Sequence, residues 1–167
     1  MNTVVAIPGL ICAAVLCAGD IRRRRVSRRV VIGGIAAQLA TQCGWGWLAN
    51  AWMVPAAGLS GMLIAGLMQW ILASVVPGSL GFGDVTCAML LGTVLGPFGA
   101  IPFTIWWLVM GVIGLGALGW ASRRAGAVLR RKSRSRRRRH HISIPFVPVM
   151  LAAAVITIVV SQCGLHW

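Results

Sequence analysis

Residues 53–76 read MVPAAGLSGMLIAGLMQWILASVV and contain no charged side chain. An α-helix needs an apolar run of ~20 residues to cross the hydrocarbon core of a bilayer, and this segment is long enough. Further apolar segments flank it on both sides, at 3–19, 30–49, 85–95, 101–121 and 142–163. The pattern predicts an all-α polytopic membrane protein with about six transmembrane helices. Together these helices form a single membrane-embedded domain over residues 1–167.

Charged side chains are scarce and unevenly placed in this chain. They make up 11% of the residues, against about 25% in a typical soluble domain. The net charge of +14 comes from 16 Lys and Arg against two acids, and all the bases fall between 22 and 29 or between 123 and 139. Clustered bases between apolar spans are typical of cytoplasmic loops, which we place at about 20–29 and 122–141. Nucleic acid is not an expected partner, because no aromatic side chains interleave with the second cluster to stack on bases.

The two basic clusters also predict a topology. If both face the cytoplasm, the number of crossings between them is even, so the short segment 85–95 crosses as well. Both termini are then expected on the outer side. The only two acidic residues, Asp20 and Asp84, follow the first span and open the fourth. Both carboxylates are therefore expected at the cytoplasmic face, at similar membrane depth.

Two carboxylates in one site can divide the work of hydrolysing a peptide bond. One, ionised, activates a water molecule, while the other, protonated, donates its proton to the substrate carbonyl. Neighbouring carboxylates adopt this mixed state because like charges close together resist joint ionisation. Two simpler hypotheses stay open: Asp84 caps the helix that it opens, or Asp20 is a surface carboxylate paired with the arginines that follow it.

The sequence around the two aspartates resembles the prepilin peptidase family, the type IV leader peptidases. Residues 81–85, Gly-Phe-Gly-Asp-Val, match the GxGD motif of that family. Residues 20–22 and 26–27, Asp-Ile-Arg and Val-Ser, are similar to its first-aspartate motif. Residues 144–148, Ile-Pro-Phe-Val-Pro, resemble its late Pro-Phe-Gly-Pro segment. The resemblance implies a membrane aspartic endopeptidase in which Asp20 and Asp84 are the catalytic pair.

The resemblance also implies a substrate and a place of action. The substrate would be a prepilin with a short basic leader, a glycine before the cut and then an apolar helix, cleaved at the cytoplasmic face of the bacterial inner membrane. Gly81 and Gly83 are candidate substrate-binding positions, because residues without a Cβ let a substrate strand approach closely. We expect neither a metal nor a cofactor. The first span runs directly to Asp20 without a cysteine-bearing insert, as in the peptidase-only forms of Flp/Tad pili, so no methyltransferase activity is expected.

Three positions depart from the family pattern. Arg28 stands where Asn is frequent, Thr86 where Lys is common, and Val147 where the late segment has Gly. These departures leave the substrate contacts open. An alternative function therefore also stays open: a non-catalytic membrane scaffold, or a pilus or secretion assembly component, with an Arg-rich lipid-binding loop. In either case we expect the stretch 122–141 to engage anionic lipid head groups.

Two further expectations concern the glycines and the cysteines of the chain. Glycines in the second and third spans are expected at close helix contacts, namely Gly33, Gly34, Gly58, Gly61 and Gly66. The cysteines show no CxxC spacing and lie in apolar sequence. They are expected to be small buried hydrophobic residues rather than a disulfide framework or a zinc site.

Overall fold

A computed structural model of the chain describes residues 3–23, 27–75, 82–131 and 146–163. Within these ranges the protein is helical and has no strand. A short 3-10 turn, Thr3–Ala6, precedes the helices, which are α1 (Ile7–Arg23), α2 (Arg28–Leu48), α3 (Met53–Val75), α4 (Phe82–Leu95), α5 (Ala100–Arg131) and α6 (Val147–Gln162). The predicted all-α class is confirmed.

The helix ends correct the predicted loops at both basic clusters. α1 continues to Arg23 and α2 starts at Arg28, so residues 20–23 and 28–29 of the predicted loop are helical. α5 continues to Arg131, well past the start of the predicted loop 122–141. Arginine and alanine are good helix formers, so a helix can continue past the apolar part of its sequence into a basic stretch. Residues 132–145, which include the rest of the second loop and the start of the predicted sixth span, lie outside the described residues.

Two helices in the described part of the chain are long and apolar enough to cross a membrane, Thr3–Arg22 and Met53–Ser74. Shorter apolar helices occupy Phe82–Phe98, Ala100–Gly116 and Val147–Gln162. Two membrane-spanning candidates and several shorter apolar helices agree with a membrane protein. The six crossings and the outward orientation of the termini stay predictions.

The shortest of the predicted spans, α4, is the innermost helix. It packs against α1, α2, α3 and α6. Its buried residues are Val85, Cys87, Ala88, Leu90, Leu91, Gly92, Thr93, Val94 and Leu95. A helix of 14 residues is only ~21 Å long at 1.5 Å per residue, less than the ~30 Å of a hydrocarbon core. Because protein surrounds α4, its length does not have to match the bilayer.

Glycines bring α3 and α4 into backbone contact. A Cβ on Gly61 would collide with the carbonyl oxygen of Gly92, and one on Gly92 would collide with the carbonyl oxygen of Gly61. These contacts confirm the predicted role of Gly61, and Gly34, Gly58 and Gly66 likewise meet neighbouring helices. The expectation for Gly33 was wrong, because a Cβ there would meet nothing within 4 Å.

Buried glutamines join α2 to its neighbours. Gln38 is fully buried, its Nε2 donates to the carbonyl oxygen of Val5, and its Oε1 accepts from the Gly9 amide, both at 2.8 Å. This contact satisfies an amide at the start of α1 that has no partner within its own helix. One turn further along α2, Nε2 of Gln42 donates to the carbonyl oxygen of Thr93 at 2.7 Å. Polar side chains that bridge helices in this way hold a membrane bundle together.

Exposed tryptophans mark the end of the bundle where α2 passes into α3. Trp47 and Trp52 are 75% and 53% exposed, and their rings meet edge to face with centroids 6.1 Å apart. Tryptophan is enriched where a membrane protein meets the interface between lipid and water. Asp20 lies in the last turn of α1 and Asp84 in the first turn of α4. Both of these helix ends are at the end of the bundle that is remote from the α2–α3 junction.

Candidate active site

Asp20 lies in the last turn of α1 and is buried, with 8% of its surface exposed. Its Oδ2 has no hydrogen-bond partner among the described residues. The hypothesis of a surface carboxylate is therefore wrong. A buried polar oxygen without a partner costs free energy, so this oxygen is a candidate for contact with a molecule that the folded chain does not itself supply.

Asp84 is the third residue of α4 and stands in its first turn. An N-cap residue would stand before the first helical residue, which here is Phe82, so Asp84 does not occupy the cap position. It is half-buried, as is Gly83, whose carbonyl oxygen accepts a hydrogen bond from Oγ1 of Thr86 at 2.9 Å. The positive end of the α4 dipole favours an ionised carboxylate at this position. Gly81 lies outside the described residues.

The antiparallel packing of α1 and α4 places both aspartates at the same end of the bundle. Near the other end, a Cβ on Gly9 would collide with Val94. From there α1 runs towards Asp20, while α4 runs back from Val94 towards Asp84. Both carboxylates act electrostatically on the thiol of Cys87, which lies one turn beyond Asp84. Residues that are distant in sequence thus share one neighbourhood, as the topology predicted; their catalytic roles stay a prediction.

Cysteines stand beside both aspartates, which the sequence analysis did not anticipate. Cys17 precedes Asp20 by one helical turn, and Cys87 follows Asp84 by one turn. The i, i+3 spacing in each helix was the signal that could have shown this. Cys87 is buried as predicted, whereas the expectation of burial was wrong for the exposed Cys43 and Cys163. Among the described residues, no three His, Cys, Asp or Glu side chains form a group suited to a metal ion.

Exposed arginines lie at this end of the bundle, at the end of α1 and the start of α2. Arg22, Arg28 and Arg29 are exposed. The guanidinium of Arg28 lies 5.8 Å from the centre of the Phe82 ring, so the start of α2 contacts the start of α4. A cation–π contact at an exposed site contributes ~0.5–1 kcal/mol. Arg28, which departs from the family pattern, therefore has a structural partner inside the GxGD segment.

Residues 146–148 of the late segment stand at the start of α6. Val147 is 2% exposed and belongs to the hydrophobic core. The Phe146 ring packs on α5, 3.2 Å from where a Cβ on Gly114 would stand. One turn into α6, the carbonyl oxygen of Met150 accepts a hydrogen bond from Nε1 of Trp106 at 3.2 Å. Valine at the position of the family glycine is thus accommodated by core packing.

The fold and site together define a helical, membrane-type protein with two aspartates at one end. The sequence profile of the type IV leader peptidase family matches residues 7–116, which contain both aspartates. This match covers more than half of the chain, and the protein belongs to the type IV leader peptidase family. The family is membrane-associated and its members are peptidases, so a prepilin-type peptidase function holds at the level of the family. Searches of curated proteins and of solved structures gave no significant match.

Proposed function

We propose that the protein is an aspartic endopeptidase of the bacterial cytoplasmic membrane that removes the basic leader from type IV or Flp-type prepilins. The observation that carries this proposal is the burial of Asp20, whose Oδ2 lacks a partner among the described residues, at the end of the bundle that also holds Asp84. Membership of a peptidase family supplies the reaction class. Cleavage takes place at the cytoplasmic face, where the topology predicted from the basic clusters puts both residues.

The proposed chemistry divides hydrolysis between Asp20 and Asp84. The ionised carboxylate takes a proton from water, whose oxygen attacks the scissile carbonyl carbon, and the protonated carboxyl donates to the carbonyl oxygen. The tetrahedral intermediate then collapses, the C–N bond breaks, and a proton passes to the departing amine. The proposal assigns the roles of base and acid to the pair of carboxylates rather than to a fixed residue.

The residues around the aspartates are proposed to position the substrate. Gly83 and Gly81 let the extended cleavage segment approach the start of α4, where a side chain would hold it away. The reaction requires no metal or cofactor, and the protein does not methylate the new N-terminus. The chain crosses the membrane six times with both termini outside, and the Arg-rich stretch 122–141 contacts anionic lipid head groups.

The test is to co-express the protein with candidate prepilins from its own genome and to follow the size of the pilin on a gel. Wild type should trim the leader, and N-terminal sequencing should find glycine on the leader side of the cut. Asp20→Asn and Asp84→Asn preserve side-chain size and remove the acid–base function, so each should slow cleavage by about 10²–10⁴-fold. A full-length cognate prepilin beside well-expressed wild type would sink the proposal, as would full cleavage by Asp84→Asn.

Two additional measurements test the finer parts of the proposal. A metal chelator should leave cleavage intact, and strong inhibition would contradict the metal-free mechanism. Transfer of a labelled methyl group from S-adenosylmethionine to the processed pilin would refute the absence of methyltransferase activity. If Asp84→Asn fully replaces wild type in pilus assembly, the scaffold alternative becomes the better description.

A further inference from the structure

Two buried polar groups without hydrogen-bond partners among the described residues lie on α3 and α5. Gln69 on α3 is 1% exposed, and its Nε2 makes a weak hydrogen bond to the sulfur of Met110 on α5, at 3.9 Å. Its Oε1 is buried and has no hydrogen-bond partner among the described residues. An acceptor oxygen of this kind is unusual, because buried amide groups in folded proteins are nearly always paired.

A buried donor that likewise lacks a partner lies on α5, one helical turn from Met110. Trp107 precedes Met110 by three residues and therefore shares its face of α5. Its Nε1 is buried and also has no partner within the described ranges. Thus α3 carries a buried acceptor, Oε1 of Gln69, and α5 carries a buried donor, Nε1 of Trp107, and neither has a partner among the described residues. Leaving either group unpaired lowers the stability of the fold.

Other buried glutamine and tryptophan side chains of the bundle bond to neighbouring helices. Both amide atoms of Gln38 are bonded, to Val5 and to Gly9. The indole of Trp106, adjacent in sequence to Trp107, donates to the carbonyl oxygen of Met150. Gln42 is an intermediate case, because its Nε2 donates to Thr93 while its Oε1 has no partner among the described residues.

The position of the pair relates it to the candidate active site. The side chain of Met89 contacts Gly66, which fixes the level of α4 against α3. Counting 1.5 Å per residue from that contact, Gln69 and Asp84 lie within about 3 Å of each other along the bundle axis. In addition, α3 and α5 are not among the closely packed helix pairs of the described chain, so few contacts join these two helices.

We propose that Gln69 and Trp107 form a binding site for the peptide backbone of the substrate's apolar segment next to the scissile bond. A transmembrane helix must unwind before a peptidase can reach a bond near its end, and unwinding leaves backbone N–H and C=O groups without partners in an apolar medium. Oε1 of Gln69 accepts from such an N–H, and Nε1 of Trp107 donates to such a C=O. This inference rests on the proposed peptidase function and adds the part of the substrate that is recognised.

The chemistry of the pair favours a peptide backbone over an apolar occupant. One acceptor and one donor on facing helices match the two groups that every unwound peptide unit exposes. Neither group carries a charge, so the pair suits a substrate segment that is apolar in its side chains. The weak contact between α3 and α5 allows these helices to separate and admit the substrate from the membrane. A buried water molecule is the competing occupant, and the experiment distinguishes the two.

The test uses full-length enzyme in vesicles of phosphatidylethanolamine and phosphatidylglycerol, with a prepilin that retains its apolar segment. Gln69→Met and Trp107→Phe remove the orphaned groups and keep the bulk of the side chains. Each should raise KM by about tenfold, the equivalent of one lost hydrogen bond, with little change in kcat. Their melting temperatures should equal or exceed that of wild type because, among the described residues, each removes a buried group without a partner and the only internal bond lost is the weak one from Gln69 to Met110.

The matched controls are Gln38→Met and Trp106→Phe, which remove bonded groups of the same kinds. They should lower the melting temperature and leave KM unchanged. A soluble peptide that spans the leader and the cut but lacks the apolar segment should show the same KM with wild type, Gln69→Met and Trp107→Phe. A tenfold loss for this short peptide would place the defect at the aspartates and overturn the inference.

Binding measured without cleavage separates this inference from the proposed function. In an Asp84→Asn background, the Kd of the labelled prepilin should rise about tenfold with either Gln69→Met or Trp107→Phe. Unchanged Kd and KM with a raised melting temperature would show that the pair holds only water. If wild type binds but never cleaves the prepilin, the proposed function fails, and the binding comparison still decides the inference.

Discussion

At the scale of single residues, the burial of Asp20 costs folding free energy that an apolar side chain at this position would not. Asp20 is buried with an oxygen that has no partner among the described residues, and most proteins avoid such an arrangement. Sites that need a reactive group often accept a loss of stability to keep it. A purely structural role would leave this cost unexplained.

The first prediction at this scale concerns Asp20→Asn. The substitution removes a carboxylate that is difficult to bury and preserves the shape of the side chain. We expect a melting temperature no lower than that of wild type, together with loss of prepilin cleavage. Thermal unfolding in detergent, followed by circular dichroism, provides the comparison. A marked drop in melting temperature would mean that Asp20 serves the fold through bonds to the chain.

The second prediction concerns Val147, which fills the position of a family glycine. Val147 is part of the core, whereas Val155 on the same helix is 44% exposed. Val147→Ala should therefore destabilise the protein by about 1–2 kcal/mol through lost packing, and Val155→Ala should have almost no effect. Unfolding of the two variants under the same conditions checks this. Equal stabilities would contradict the placement of Val147 in the core.

At the scale of elements, the α3–α4 pair determines where Asp84 stands. α4 begins within the GxGD segment and passes through the centre of the bundle. Its contact with α3 therefore sets the position of its first turn along the bundle axis. Glycines make this close approach possible, and van der Waals contact between backbones is a main attraction between helices in a membrane. A shift in this contact would move the carboxylate.

We therefore predict opposite outcomes for two glycine substitutions. In Gly92→Ala the new methyl group collides with the carbonyl oxygen of Gly61, so the helices must separate, at a cost of about 1–3 kcal/mol. In Gly33→Ala the methyl group meets nothing within 4 Å, so the change should be neutral or stabilise by up to about 1 kcal/mol. Melting temperatures and prepilin cleavage should fall together for Gly92→Ala alone. Similar behaviour of both variants would refute the close contact.

At the scale of the whole molecule, the ends of the bundle differ in chemistry. Exposed tryptophans lie at the α2–α3 junction, while arginines and both aspartates lie at the opposite end. This polarity agrees with an outer interface and a cytoplasmic face, as the distribution of bases predicts. The number of crossings and their direction are therefore open to a direct test.

Cysteine labelling tests the predicted topology. Cys163 follows α6 and is exposed, so it should react with a membrane-impermeant maleimide added outside spheroplasts. A Ser133→Cys variant in the Arg-rich stretch should react only after the membrane is opened. Each measurement needs a background in which the remaining cysteines are replaced by alanine. The opposite labelling pattern would invert the topology and move the aspartates to the outer face.

The sequence by itself determined the helical class, the family and the two aspartates. Hydropathy and basic clusters are local properties of the sequence, so they can be recognised without knowing how the helices pack. The acids were easy to single out because there are only two, and the GxGD segment surrounds one of them. The limits of the basic loops were predicted less well, because continued helical hydrogen bonding, rather than charge, decides where a helix ends.

The tertiary structure alone decided which polar groups are left without partners. Gln38 and Gln69 are both isolated amides in apolar helices, yet one is fully bonded and the other has an orphaned oxygen. Likewise, burial excluded a surface role for Asp20, and contact with surrounding helices explained the short α4. The physical reason is that burial and hydrogen bonding depend on which distant helices meet, and a local pattern does not contain that information.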